Sequence, residues 1–230
     1  MSVKKQFSQY AYQYNNFNII QQIAAKALVR DIKATPKKIL EIGCGSGQVF
    51  KYINWDFDEY VAIDFSASMC ELHPKATNVH VECYDFDSED FGNFLNNKEF
   101  DIIVSSSALQ WSKDLTKLVE KLSKCSDKIV AALFTSNTFK SIQMLSKSAS
   151  PILSQDKIKE AFSKYFSCEF EVHNYNLEFE NKKDMFDYIK KSGVSGESNL
   201  DFTTAKKVYK DYDLNYLEFE VIFVKTISKL

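Results

Sequence analysis

Three of the chain's glycines fall within five residues, Gly43, Gly45 and Gly47, just after an apolar run (Ile39–Ile42) that includes an acid, Glu41. The 230 residues hold only 6 glycines, where average usage of about 7% would give roughly 16. Half of a scarce residue type in one turn marks that turn. Glycine permits positive φ and lets the backbone approach a ligand with no Cβ in the way. A second acid, Asp64, ends the next apolar run, Val61-Ala62-Ile63. It follows the first glycine by about 20 residues, as the ribose-binding carboxylate of a nucleotide-binding βαβ unit does. A dinucleotide fingerprint spaces its glycines G-x-G-x-x-G and aims a helix N-terminus at a pyrophosphate. Here the spacing is G-x-G-x-G, and the added carboxylate of Glu41 suits a cationic ligand better. The plain alternative is a structural turn with an incidental Asp64.

Five short apolar runs supply the elements that would position these residues: Ile39–Ile42, Tyr60–Ile63, Val79–Val81, Phe100–Val104 and Ile129–Phe134. Helical stretches are expected between them, at Gln48–Ile53, Ser66–Leu72 and Leu115–Lys124. Strands alternating with helices predict an α/β fold, a doubly wound, Rossmann-like parallel sheet. Ahead of it, Phe7 to Val29 carries apolar residues at helical spacing, and Pro36 closes that segment. Beyond Phe134, helices are expected at Ser154–Phe166, Lys182–Lys191 and Thr203–Tyr212, the last capped by Thr203 or Thr204. Alternation predicts strands at Phe170–Phe179 and Leu217–Val224. The chain reads as one domain: a helical N-terminal cap (1–35), a cofactor-binding core (36–134), and a substrate-side region with helical insertions and the final strands (135–230).

Composition mainly excludes. With 29 basic and 31 acidic residues and a net charge of −2, there is no global case for a nucleic-acid or anionic-membrane partner. The basic set is almost entirely lysine, with Arg30 the sole arginine, and bidentate grip on phosphate or carboxylate is an arginine habit. No run of 18 apolar residues suggests a membrane span, and Met1 to Asn18 lacks the apolar stretch of a secretory signal. The five cysteines, Cys44, Cys70, Cys83, Cys125 and Cys168, form no C-x-x-C pair. No metal site is expected, and a cytoplasmic location is.

The string Glu41-Ile42-Gly43-Cys44-Gly45-Ser46-Gly47 resembles motif I, (D/E)-x-G-x-G-x-G, of the class I S-adenosylmethionine-dependent methyltransferases. The resemblance implies S-adenosylmethionine as cofactor and a seven-stranded sheet whose last strand is antiparallel. It implies that Glu41, Gly43, Cys44, Gly45 and Gly47 line the cofactor. Asp64, with Phe65 beside it, would take the ribose hydroxyls. Asp85 and Phe86, in Val81-Glu82-Cys83-Tyr84-Asp85-Phe86, would meet the adenine, and Ser105 would border the same pocket. The run Phe100-Asp101 to Gln110-Trp111 is similar to the F-D-x-x-x-S-x-x-x-x-Q-W signature of two small-acid methyltransferases. One methylates malonyl-[acyl-carrier protein] in biotin synthesis; the other methylates trans-aconitate. The opening Phe7-Ser8 to Ile20-Gln21 and the segment Asp184 to Gly196 resemble the biotin enzymes. Ser106 and Tyr84 depart from the common pattern.

A carboxylate acceptor is already ionised at neutral pH, its pKa near 4, and needs no general base. None of the three histidines, His73, His80 and His173, is expected at the carboxyl end of the first or fourth strand. That favours carboxylate methylation by orientation and exclusion of water. Tyr14 and Gln21, seven residues apart, share a helix face, and with Trp111 they are the expected acceptor-side catalytic residues. Core packing is the plain alternative for Tyr14 and Trp111, and solvent for Gln21. An acidic carrier protein needs a basic face, and Lys182, Lys183, Lys190, Lys191, Lys206, Lys207 and Lys210 form the candidate. Taken singly, each reads more readily as a solvated lysine, and only together do they make a docking face. The expected reaction is methylation of the free carboxylate of malonyl-[acyl-carrier protein] in early biotin synthesis. Two alternatives stay open: a methyltransferase for a free small acid such as trans-aconitate, and a non-catalytic S-adenosylmethionine-binding protein. A nicotinamide dehydrogenase fits the glycine spacing least.

Overall fold

A computed structural model describes residues 17–192 and 201–230. Its sheet has seven strands in the order β3-β2-β1-β4-β5-β7-β6. The strands are β1 (Lys38–Ile42), β2 (Glu59–Asp64), β3 (Val79–Cys83), β4 (Ile102–Ser106), β5 (Ile129–Phe134), β6 (Phe166–Glu178) and β7 (Tyr216–Lys229). The first five run parallel, and β7 pairs antiparallel with both β5 and β6. The chain leaves β1 toward one edge through β2 and β3, then returns to place β4 on the other side of β1. Such a reversal opens a crevice at the carboxyl ends of β1 and β4.

Helices cover both faces, so the central strands are buried on both sides and largely apolar. On one face Ile39, Tyr60, Ala62 and Val104 pack with Ile20, Ala24 and Leu28 of α1 (Ile19–Arg30). On the other, Leu40, Ile42, Ile63 and Ile103 pack with α3 (Phe91–Leu95), α4 (Leu115–Ser123) and α6 (Gln155–Ser163). A strand's period of two therefore puts Glu41 on the α1 side, beside Ile39 and opposite Leu40. The remaining helices are α2 (Ala67–Leu72), α5 (Lys140–Ser146), α7 (Lys182–Lys191) and α8 (Phe202–Asp211). Met185 and Tyr188 of α7 are buried in the α1-side core.

Several expected boundaries are corrected. The helix expected at Gln48–Ile53 is a single 3-10 turn, Phe50–Tyr52. Trp55 Nε1 donates to the Pro36 carbonyl at 3.1 Å, turning the chain back to the base of β1 too soon for a helix to outweigh its nucleation cost. The pyrophosphate-facing helix N-terminus of a dinucleotide fold is thus absent at this turn. The cap of α8 is Asp201, which accepts from Thr203 N at 2.9 Å and Thr204 N at 3.0 Å. Strand four begins at Ile102 because Asp101 turns aside to accept the N–H groups of Lys37 (2.6 Å) and Lys38 (2.9 Å). Those bonds hold its carboxyl below the usual range. Strands β6 and β7 outrun the expected Phe170–Phe179 and Leu217–Val224 because polar residues on the exposed face of the pair mask the pattern. Tyr14, Gly193 and Gly196 lie outside the described residues.

Candidate cofactor-binding site

The turn after β1 needs its glycines for two different reasons. Gly43, Gly45 and Gly47 have φ of +70°, +51° and +82°, a region that strains other residues. At Gly43 a Cβ would lie 2.1 Å from Ala108 Cβ, and at Gly47 2.5 Å from Pro74 Cδ. Packing forbids a side chain at both. A Cβ at Gly45 would meet nothing within 4 Å, so that residue borders open space. The N–H groups of Gly43 and Cys44 donate to the Ile63 carbonyl at 2.8 and 2.9 Å. These bonds fix the turn against the end of β2, beside Asp64.

Asp64 is buried, and its two oxygens accept one backbone N–H each, from Gly45 (3.0 Å) and Ser66 (2.9 Å). Burial outweighs these bonds, and the charges of Glu41 and Asp85 act with it, raising the Asp64 pKa to about 6. Glu41, on β1, is buried as well and accepts from Tyr60 Oη at 2.6 Å. His73 Nε2 lies 3.7 Å from it, and both side chains are almost fully excluded from solvent. Burial opposes the charge on His73, but the Glu41 carboxylate and the Pro74 carbonyl prevail and its pKa is raised. The expectation that no histidine comes near the end of β1 is thus corrected. The chain after α2 folds beneath the glycine turn and carries the ring there.

Two narrow clefts meet at the turn. One, of about 50 Å³, is lined by Gly43, Gly45, Asp64, Phe65, Met69, Phe86, Ser106, Ser107, Ala108 and Trp111. The other, of about 30 Å³, is lined by Gln21, Glu41, Gly43, Cys44, Gly45, Ser46, Gln48, Val49 and Ser106. No lysine, arginine or histidine is among the described residues lining either. Gln21 Oε1 and Ser106 Oγ, both on these walls, are buried with no hydrogen-bond partner among the described residues. Ser107 holds φ +60° at the cleft, a conformation kept by its N–H bond to the Ala132 carbonyl at 2.7 Å.

These positions sort the expected residues. Glu41, the glycine turn with Cys44, Asp64, Phe65, Phe86 and Trp111 come together around the clefts. Ser105 does not, because its Oγ donates to the Ile42 carbonyl at 2.8 Å and ties β4 to β1. Ser106, on the opposite face of β4, is the serine that lines both clefts. Strict alternation from Val104 would have singled it out. Asp85 is exposed, lines neither cleft, and accepts from Asp87 N at 2.9 Å. It acts on Asp64 through charge alone. Gln21, expected beside the acceptor, lies across from Glu41, and its Nε2 donates to the Ser192 carbonyl at 3.1 Å, just past α7. Ser46 and Gln48, which the spacing did not single out, share that wall.

Of the lysines between β6 and β7, Lys183, Lys190, Lys206, Lys207 and Lys210 are exposed. Lys182 Nζ donates to the Lys210 carbonyl at 3.3 Å and joins α7 to α8, and Lys191 Nζ sits 4.6 Å over the Phe17 ring. Among the described residues there is no His/Cys/Asp/Glu group able to hold a metal, and no helix long and apolar enough to cross a membrane.

Residues 40–127 match a family described as "Methyltransferase domain". A malonyl-[acyl-carrier protein] O-methyltransferase from Bacillus cytotoxicus is 30% identical over 129 residues, 53% of this chain and 45% of that protein. One from Acetivibrio thermocellus is 26% identical over 235 residues, 97% of this chain and 75% of that protein. The alignments to the first two curated relatives thus span about half of those proteins' length. Among solved structures, the YcgJ protein of Bacillus subtilis superposes with a TM-score of 0.66 at 14% identity, over 90% of this chain and 99% of that one. The matched segment runs from β1 through α4 and contains the glycine turn, Asp64 and every described residue lining the clefts except Gln21. Residues 40–127 thus match a methyltransferase domain, and the seven-stranded sheet has the Rossmann-like fold of the class I methyltransferases.

Proposed function

We propose that the crevice binds S-adenosylmethionine and that the chain methylates the free carboxylate of a malonyl thioester on acyl-carrier protein. One observation carries the cofactor reading: Glu41, Asp64 and Asp85 bias one crevice toward negative potential, with no lysine or arginine among its described lining residues. In a chain with 29 basic residues, such a site disfavours phosphate and suits a cation. The residues also fit a nucleoside. Asp64 offers two acceptor oxygens to vicinal hydroxyls, Gly45 leaves room for close approach, and Phe65, Phe86 and Trp111 supply ring faces. The unpartnered Gln21 Oε1, beside Glu41, suits an ammonium group. The clefts are narrow, so the Phe65 and Trp111 rings part as a nucleoside enters.

Bound S-adenosylmethionine supplies an electrophilic methyl group on a sulfonium. The chain's own task is then to hold the acceptor in line and keep water out. No basic side chain is among the described residues of the cleft walls, so an acceptor already ionised at neutral pH suits it. The carrier-bound malonyl substrate draws support from the names of the relatives, which are 26–30% identical in the two alignments above. The lysines of α7 and α8 are the proposed contact for the acidic carrier.

Transfer of labelled methyl to malonyl-[acyl-carrier protein], malonyl-CoA and trans-aconitate, assayed side by side, tests the proposal. The carrier-bound substrate should be turned over best, with a rate that falls as salt rises. Turnover of the free acid alone would replace the substrate assignment while leaving the cofactor in place.

A further inference from the structure

Three of the five cysteines meet beside Asp64, although 13 or more residues of chain separate each from the next. Cys44 lies in the glycine turn, Cys70 on α2 and Cys83 at the end of β3, where it is the register partner of Asp64. Cys70 is the middle member. Its Sγ donates at 3.5 Å to the Asp64 carbonyl and at 3.7 Å to that of Glu82, the residue before Cys83, and its thiol interacts with those of Cys44 and Cys83. Accessibility is graded along the row: Cys44 is buried, Cys70 half-buried and Cys83 exposed. None of these thiols is needed for the binding described above.

We infer that Cys70 and Cys83 form a peroxide-sensitive thiol pair whose disulfide closes the ribose end of the crevice. The Cys70 thiolate attacks hydrogen peroxide. An S–O bond forms, the O–O bond breaks, and hydroxide leaves and takes up a proton as water, so the sulfur becomes a sulfenic acid. Cys83, as thiolate, then attacks that sulfur. The S–S bond forms and the sulfenic oxygen leaves as a second water, carrying the proton that Cys83 gave up. Two thiols and one peroxide give one disulfide and two waters.

The roles follow from the surroundings. The Cys44 thiol, interacting with Cys70, lowers the Cys70 pKa, which favours the attacking thiolate. Cys44 is itself pushed well up by that interaction, by burial and by Glu41 and Asp64, so it remains a thiol. Cys83 is left as the partner that solvent can reach. The sulfurs must close from non-bonded separation to about 2.05 Å, drawing α2 toward the end of β3. Asp64 is the register partner of Cys83 and Ser66 leads directly into α2, so that movement disturbs the hydrogen bond between them. Formation of the disulfide stands independently of the proposed function, whereas its effect on the cofactor rests on that reading.

The test uses the reduced full chain, one equivalent of hydrogen peroxide, peptide mass mapping and calorimetric titration with S-adenosylmethionine. A Cys70–Cys83 cross-link should form in the parent and in Cys125→Ser, and be lost in Cys70→Ser and Cys83→Ser. Oxidation should weaken cofactor binding about tenfold or more, a coupling of ordinary size. A thiol reductant should restore it, and Cys83→Ser should keep full affinity in peroxide. A map without the Cys70–Cys83 link overturns the pair, and a link that leaves affinity unchanged overturns its role at the crevice. A reduced chain that binds no S-adenosylmethionine would count against the functional reading, while the map would still decide the disulfide.

Discussion

Asp64 at the end of β2 and Glu220 on β7 are both buried carboxylates, in very different company. Asp64 has two backbone N–H donors and a pKa raised by burial to about 6. Glu220 accepts from the Thr135 hydroxyl, from Asn137 Nδ2 at 3.0 and 3.1 Å, and from Gln155 Nε2 at 3.3 Å. Its neighbour Glu218 accepts from Ser141 N and Ser141 Oγ. Three side chains, two from the loop after β5 and one from the start of α6, thus converge on Glu220 and pin that loop to β7. At the glycine turn no side chain among the described residues does the same for Asp64. One carboxylate is an anchor already engaged, and the other is held in place with capacity left for a ligand. A site is told from a scaffold here by which donors are missing as much as by the acid itself.

That contrast predicts a crossover between binding and stability. Asp64→Ala should weaken S-adenosylmethionine binding by about 10- to 100-fold, the worth of charge-assisted hydrogen bonds, with little loss of thermal stability. Calorimetry and a melting curve on the same sample measure both. Glu220→Ala should do the opposite. Stranding its donors should cost about 2–3 kcal/mol, or about 4–12 °C in Tm for a chain this long, with affinity nearly unchanged at a temperature where the fold is intact. If the two variants behave alike, the contrast fails.

The raised pKa of Asp64 sharpens the comparison through pH. The unfolded carboxyl ionises near 3.8 and the folded one near 6, so the folded state favours the protonated form. Its contribution is therefore most favourable below about pH 4 and declines as pH rises through 6, by at most about 3 kcal/mol. Asp64→Asn should remove that part of the decline in denaturant titrations at pH 5 and pH 7. Ligand binding runs the other way, because vicinal hydroxyls need the ionised acceptor. Affinity in the parent should fall about tenfold from pH 7 to pH 5, and hold steady in Asp64→Asn.

The smallest expected effect concerns Gln21. Its amide spans from α7 to the cleft that Glu41 lines, so Gln21→Ala should raise KM for the cofactor a few-fold and leave kcat nearly alone. A loss in kcat with KM unchanged would return Gln21 to the acceptor side, where its helical spacing with Tyr14 first put it.

What was legible in the sequence follows the distance over which each constraint acts. The glycine turn was readable because the demand for glycine is local and Asp64 ends the next strand. The motif, as a string, does not tell Ser105 from Ser106. Strand alternation sends the first to the Ile42 carbonyl and the second to the clefts. The helix expected after the turn failed on a contact between Trp55 and Pro36, 19 residues apart, that no local pattern announces. The role of Glu220 was invisible for the same reason, since Thr135 and Gln155 lie 85 and 65 residues from it. His73 reached Glu41 by the fold of the segment after α2, and a lone histidine in a sequence carries no such signal.

The central claim is that an acidic crevice, with no lysine or arginine among its described lining residues, takes a sulfonium nucleoside and not a pyrophosphate dinucleotide. Calorimetric titration of the reduced full chain with S-adenosylmethionine and, separately, with NAD tests it most directly. Saturable one-site heat with S-adenosylmethionine, and none with NAD, is the predicted result. Heat with NAD alone, or with neither ligand, would contradict it.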